Sequence, residues 1–175
     1  MLTRVLLFTL ISLVLASPSL ANSGDPWREL GIQRLEPMRA PDISLEDIDG
    51  KAFTLSSLKG KVVFLNFWAT WCFPCKAEMP AMEQLHRKFR ERGLVVAAVN
   101  HYEEPTKVKN FVETAGYTFT VPVDPAGRAS ITYRIRFLPV TYLVDKRGML
   151  VGQVRGSRPW DSKVAFQLIE ELIGE

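Results

Sequence analysis

The sequence predicts an α/β fold, a three-layer α/β/α sandwich built on a mixed central sheet, with an N-terminal β-hairpin. Three observations carry that prediction. An unbroken apolar run, Val62–Trp68, leads straight into a helical pattern. Strand-like and helix-like segments then alternate as far as Tyr133, the order that builds parallel strands joined by helices. A last pair of strands around Lys146-Arg147-Gly148 adds an antiparallel ladder, followed by one more helix.

The 175 residues suffice for one domain plus processing segments. The first 21 stand apart: Arg4 begins a positive n-region, Val5–Leu15 is an apolar core, and Ser19-Leu20-Ala21 has the small residues of a cleavage site. Residues 1–21 are thus expected to be a signal peptide. The alternative is an uncleaved anchor, the one way this chain would meet a membrane. Either way the domain is exported, to the periplasm or extracytoplasmic face. Removing Met1–Ala21 takes away Arg4 alone, so the formal charge of +3 becomes +2. That is too small to indicate nucleic acid.

Residues 22–39 read as a partly ordered lead-in, with Trp27, Leu30 and Leu35 packing on a domain that spans 40–175. Ile43-Ser44-Leu45 and Ala52-Phe53-Thr54-Leu55 flank Asp49-Gly50, a hairpin signal. Leu58-Lys59-Gly60-Lys61 turns into Val62–Trp68, which is too apolar to have a wet face and so is a central strand. Met79, Met82, Leu85 and Phe89 then recur at helical spacing as the buried stripe of a helix ending before Gly93, with Pro80 inside it as an expected kink.

Leu94–Asn100 is a second buried parallel strand. Glu104–Ala115 is a helix with Val108, Phe111, Val112 and Ala115 on its inner face and Gly116 as its cap. Phe119–Val123 is a short strand, and Asp124-Pro125 reads as the N-cap and first position of a helix running to about Tyr133. Val140–Val144 and Met149–Val154 form the closing ladder. Asp161 or Ser162 caps the last helix, whose inner face is Val164, Leu168 and Leu172.

The chemistry is expected in Trp71-Cys72-Phe73-Pro74-Cys75, at the strand-to-helix junction. Pro74 suits a first helical turn, where a missing N–H costs nothing. Cys72 then sits at the helix N-terminus, where unpaired N–H groups and the helix dipole stabilise a thiolate. Such placement lowers a thiol pKa from ~8.5 into the range ~3.5–7.5. Cys75, one turn on, lies on the same face and is expected to be less exposed.

These are the only two cysteines. A bridge between them closes a loop too short to constrain the unfolded chain much, so a structural staple is a weak reading and a redox-active disulfide a strong one. No cofactor is implied. The two histidines, His86 and His101, are not at ligand spacing, so no metal site is expected. His86 reads as a surface residue. His101 follows a strand at the active edge. Lys59 and Lys76 read as solvated charges and Trp68 as core.

Several segments carry a likeness to a known family. They are Ala40-Pro41-Asp42, Asp49-Gly50-Lys51, Leu58-Lys59-Gly60-Lys61, Asn66-Phe67-Trp68-Ala69-Thr70-Trp71-Cys72, Cys75-Lys76, Glu78-Met79-Pro80 and Phe137-Leu138-Pro139-Val140-Thr141-Tyr142-Leu143. From about Ala40 to Ile173 the chain resembles exported, thioredoxin-like thiol–disulfide oxidoreductases of the ResA/TlpA type.

The resemblance implies that Cys72 is the attacking thiol and Cys75 the resolving thiol. Pro139 matches the proline that faces the dithiol in the cis form, exposing the backbone of Leu138 to an extended substrate strand. Glu78 matches a carboxylate beneath the dithiol that can hold or pass the proton Cys75 must lose. Trp71, Phe73, Pro74 and Leu138 are the expected client contacts, and the Phe-Pro pair between the cysteines should tune the potential. Glu104–Val123 looks like this branch's extra insertion. One departure concerns Asn66, where cytosolic thioredoxins have a buried Asp. Asn cannot hold a proton at neutral pH, so that work falls to Glu78 or to water.

The implied partners are client proteins whose disulfides are reduced through a transient mixed disulfide, apocytochrome c among them, and a membrane thiol electron donor. A peroxiredoxin is the second enzymatic reading, because the Ala40–Lys61 lead-in is shared. A peroxidatic cysteine needs Pro and Thr seven and three residues before it, and Leu65 and Ala69 stand there instead. The third reading is a binding module holding Cu(I) between Cys72 and Cys75.

Overall fold

The computed structural model of the chain describes residues 24–175, so the expected signal or anchor, residues 1–21, lies outside the described residues. One eight-stranded mixed sheet organises the fold. Its strands are β1 (Gln33–Arg39), β2 (Ser44–Asp47), β3 (Ala52–Thr54), β4 (Val62–Trp68), β5 (Leu94–His101), β6 (Pro122–Asp124), β7 (Val140–Val144) and β8 (Met149–Arg155). They lie in the order β1-β8-β7-β4-β5-β6-β2-β3. β4 is central, parallel to β5 and antiparallel to β7, and every one of its residues is buried.

β4 alternates its side chains between two cores, as a strand must. Val62, Phe64 and Trp68 face a cluster supplied by helices α1 (Pro26–Glu29), α2 (Phe73–Phe89), α3 (Pro105–Ala115) and α5 (Lys163–Gly174). Val63, Leu65 and Phe67 face a thinner layer containing Leu55 of a 3-10 turn and Ala129 of helix α4 (Arg128–Thr132). The expected three layers are therefore present. The expected helical stripe is also there: Met79, Met82, Leu85 and Phe89 of α2 are fully buried, and Pro80 lies within the helix. Ser162 caps α5 by accepting from the Ala165 N–H at 3.1 Å.

Four expectations need correction. The lead-in has regular structure beyond the partial order expected: Trp27, Leu30 and Leu35 do pack on the domain, but Pro26–Glu29 is a helix and β1 is an edge strand antiparallel to β8. Asp124 is not the N-cap residue of the next helix. It ends β6, and a turn closed by Gly127 N–H on the Asp124 carbonyl (3.0 Å) intervenes before α4. Gly127, at φ 69°, is the N-cap instead, in the left-handed region that glycine enters without penalty. Ala115 is exposed, because α3 lies on the sheet through Val108 and Val112. His86 is half-buried, edge-on to Phe119 with ring centres 6.5 Å apart, and burial holds its pKa below the usual histidine range.

Candidate active site

β4 ends at Trp68 and α2 begins at Phe73, so the four residues between them decide where the first sulfur sits. Cys72 is the N-cap of α2, in extended backbone at φ −82° and ψ 104°, and its N–H donates to the Ala69 carbonyl at 3.1 Å. Cys72 and Cys75 form a disulfide, with Cα atoms 5.3 Å apart. The Cys75 N–H points at the Cys72 sulfur, 3.3 Å away. In the reduced protein that donor, together with the helix N-terminus, favours a thiolate at Cys72. Cys72 is 5% exposed and Cys75 is sealed, so the second cysteine is the less exposed of the two, as expected.

Two acids hold this junction. Glu103, on the connection between β5 and α3, is buried and accepts from both the N–H and the hydroxyl of Thr70, each at 2.6 Å. Asn100 Nδ2 (2.9 Å) and Lys107 Nζ (2.6 Å) complete its shell. Burial alone would raise the Glu103 pKa; the bonds from Lys107, Thr70 and Asn100 outweigh it and hold the group at about 2. The residue two before Cys72 is thus clamped to the far side of the strand-to-helix turn.

Glu78 is the second acid. It lies one turn beyond Cys75 and is 3% exposed. Oε1 accepts from Asn66 Nδ2 at 3.0 Å; Oε2 accepts from the Arg158 N–H at 3.1 Å and from Trp160 Nε1 at 2.9 Å. Asn66 also donates to Thr141 Oγ1 of β7 at 2.9 Å, directly across from it in register. Burial pushes Glu78 up to about 7, and the bonds from Trp160, Arg158 and Asn66 limit the rise. A group half-protonated near neutral pH is suited to exchange a proton with a neighbouring thiol.

The Leu138–Pro139 peptide bond is cis. Pro139 is buried and its carbonyl accepts from the Gly156 N–H at 2.8 Å, while Leu138 is half-buried. A depression of about 470 Å³ brings together Trp71, Cys72, Phe73, Pro74 and Leu138, joined by His101. Trp71 and Phe73 are 64% and 79% exposed, large apolar surfaces beside the sulfur that suit a partner protein.

His101 belongs to a chain of polar groups. Its Nδ1 lies 2.8 Å from Ser130 Oγ, whose hydroxyl donates to Asp124 Oδ2 at 2.9 Å. With that hydroxyl proton committed to Asp124, the oxygen accepts from Nδ1–H, which leaves Nε2 as an acceptor. Burial keeps the His101 pKa below the usual range.

Of the residues named from the sequence, Trp71, Cys72, Phe73, Pro74 and Leu138 share one depression, Cys75 and Glu78 lie on α2 behind it, and Pro139 is buried next to Leu138. Sequence reasoning missed Trp160, the Arg158 N–H, Glu103 and the Ser130–Asp124 pair. Thr141 lies in a segment that carries the family likeness, but its contact with Asn66 follows only from β7 lying beside β4.

Comparison with known proteins agrees with this geometry. The pattern of the AhpC/TSA family matches residues 38–153. The chain is 43% identical over 119 residues to the thiol-disulfide oxidoreductase ResA of Bacillus thuringiensis, covering 68% of this chain and 69% of that protein. A thiol:disulfide interchange protein DsbE of Chlorobium tepidum superposes with a TM-score of 0.73 at 33% identity, over 81% of this chain and all of that one. The exposed lipoprotein thioredoxin Etrx1 of Streptococcus pneumoniae gives 0.66, also at 33% identity, over 75% of this chain and all of that one. The chain belongs to the AhpC/TSA family, among its thioredoxin-like thiol–disulfide oxidoreductases of the ResA type.

Proposed function

We infer that this oxidoreductase works outside the cytoplasm and in the reducing direction, on client proteins such as apocytochrome c whose cysteines have become oxidised. The observation that carries the reading is the pairing of a Cys72 sulfur at a helix N-terminus with a buried carboxylate one turn behind Cys75. The Cys72 thiolate attacks the client disulfide, one client sulfur leaves as a thiolate, and a mixed disulfide joins client to enzyme. Glu78 accepts the Cys75 proton. The Cys75 thiolate then attacks Cys72, releasing the second client thiolate and leaving the 72–75 disulfide. Two electrons have passed to the client, and a membrane thiol donor restores the dithiol.

The N-terminal charge, apolar core and small-residue pattern supports export, and the exposed pneumococcal relative is in keeping with it. In this reading the Leu138 backbone beside the cis-proline pairs with an extended client strand while Trp71, Phe73 and Pro74 contact its side chains.

Trapping tests the assigned roles. Cys75→Ala should accumulate covalent client complexes that reductant dissolves, and Cys72→Ala should give none. Equal trapping by both variants would refute the assignment. The reduction potential of the purified chain tests direction: a value near ~−120 mV, typical of strong periplasmic oxidants, would reverse it.

A further inference from the structure

One segment lining the Cys72 groove carries a charge pattern that disulfide exchange itself does not require. Between α4 and the cis peptide, Ile135, Arg136 and Phe137 form one side of the Cys72 depression. The same three residues line a second depression of about 270 Å³, which extends over β7 and β8 to Gln153 and Arg155 and also includes Arg134. The two share this wall, so the second depression, which reaches Arg155 at the end of β8, adjoins the one that holds Cys72.

Its charged residues are Arg134, Arg136 and Arg155; no Asp or Glu lines either depression. All three arginines are exposed, and none forms an ion pair among the described residues. The Arg155 guanidinium lies 5.3 Å from the ring centre of Phe137, which is half-exposed, so that cation is stacked and not neutralised. The pattern is local. The chain has 22 basic and 19 acidic residues, nearly balanced, yet none of the acids faces this groove.

We propose that this arginine-lined groove selects client segments that carry carboxylate side chains beside their reactive cysteine, lying extended from the Cys72 sulfur toward Arg155. The occupant follows from charge complementarity. A guanidinium fork matches a carboxylate in two parallel hydrogen bonds, and a free one on an open surface keeps that capacity. Alternate residues of an extended segment face the same way, about 6–7 Å apart, so a client cysteine at Cys72 presents a series of side chains to the groove. Arg136, common to both depressions, meets the nearest carboxylate; Arg134 and Arg155 meet those further along. The electron balance of exchange is unchanged. The arginines hasten encounter and set register, and they repel basic clients.

This inference rests on the chain acting as a protein-disulfide reductant, and its test separates the two. The fully reduced full-length chain is mixed with two peptide disulfides of equal length, one with Glu and one with Lys flanking the cysteine, and with uncharged hydroxyethyl disulfide. At low ionic strength the Glu peptide should react about tenfold or more faster than the Lys peptide, the scale of electrostatic steering. At 0.5 M salt the ratio should fall toward one, because screening shortens to about 4–5 Å. Arg136→Glu and Arg155→Glu should each lower or invert the low-salt ratio. The ratio is read within each variant, so a general loss of reactivity cancels. Equal rates for the two peptides at low salt, with hydroxyethyl disulfide still reduced, would overturn the groove assignment alone. Failure to reduce hydroxyethyl disulfide would take the reductant reading and this proposal down together.

Discussion

Trp160 Nε1 donates to Glu78 Oε2 at 2.9 Å, joining the loop before α5 to the helix that bears both cysteines. Both side chains are buried, and Trp160 is fixed edge-on against Phe64 of β4, ring centres 4.7 Å apart. The Arg158 N–H reaches the same carboxylate oxygen. A loop some 80 residues along the chain thus limits how far burial raises the Glu78 pKa.

Replacing Trp160 by Phe keeps an aromatic ring against Phe64 and removes one donor to the carboxylate. A hydrogen bond to a charged group contributes roughly 1.5–3 kcal/mol, and one pKa unit corresponds to about 1.4 kcal/mol. Glu78, near 7 in the native protein, should therefore titrate at least about one unit higher in W160F. The pH midpoint of the carboxylate infrared band, read against Glu78→Gln, reports it directly. The pH profile of the Cys75 resolving step should move the same way. An unmoved midpoint would show that Trp160 only fills space.

Glu78 also makes stability depend on pH with a definite sign. Its folded pKa, about 7, lies above the unfolded value of 4.5, so the folded chain holds this proton more tightly. The contribution is fully present below pH 4.5 and is lost as pH rises through 7; the whole step is about 3 kcal/mol by linkage. Glu78→Gln should remove it. The Gln amide can donate to Asn66 Oδ1, which has no hydrogen-bond partner among the described residues, once the Asn66 amide turns over. Urea unfolding of the oxidised protein at pH 5 and pH 8 should show a smaller pH difference in the variant than in the parent. An equal difference in both would mean that Glu78 ionises as an ordinary carboxylate.

The parts that were legible share one property: their signals are local. The Val62–Trp68 run can only be buried on both faces, and a cysteine before Phe-Pro at its end can only be a helix cap. β1 was not legible. Gln33–Arg39 is an edge strand with six of seven residues exposed, so no alternation marks it. Asp124 shows a half-right signal. Its carboxylate does bond Ser130 N and Oγ in α4, both at 2.9 Å, but across an intervening turn and from the end of a strand. Trp160 and Arg136 owe their place at the site to long-range packing, and nothing within a few residues of either announces it.

That β1 and α1 are integral parts of the fold can be tested at Gly152. A Cβ added there would lie 2.6 Å from the Trp27 ring, 3.2 Å from Ile32 and 3.3 Å from Leu143. Trp27 and Ile32 are buried on β8 only because position 152 has no side chain. Gly152→Ala must push α1 off the sheet or deform β8, costing about 1–3 kcal/mol as overpacking does. Thermal unfolding should show the loss, and in a double-mutant cycle Trp27→Ala should reduce the penalty of Gly152→Ala. Fully additive effects would mean that the two do not meet.

Glu103 should matter both to stability and to the first sulfur. Its carboxylate takes four hydrogen bonds, two of them from Thr70, and its pKa of about 2 lies below the unfolded 4.5. The sign is therefore opposite to that of Glu78: this stabilisation is present above pH 4.5 and is lost as pH falls toward 2. Glu103→Ala leaves the Thr70 N–H and Asn100 Nδ2 without their acceptor and should cost roughly 2–4 kcal/mol at pH 7, as losing a charged partner does. The variant should also be flatter than the parent between pH 4.5 and 2. Because Thr70 precedes Cys72 by two residues, freeing it loosens the turn that holds the sulfur over the α2 N-terminus. The Cys72 thiol pKa, read from alkylation rate against pH, should rise toward the ordinary thiol value in Glu103→Ala and stay lower in Glu103→Gln, which keeps one acceptor oxygen for Thr70. A Cys72 titration identical in all three proteins, despite the lost stability, would confine Glu103 to a purely structural role.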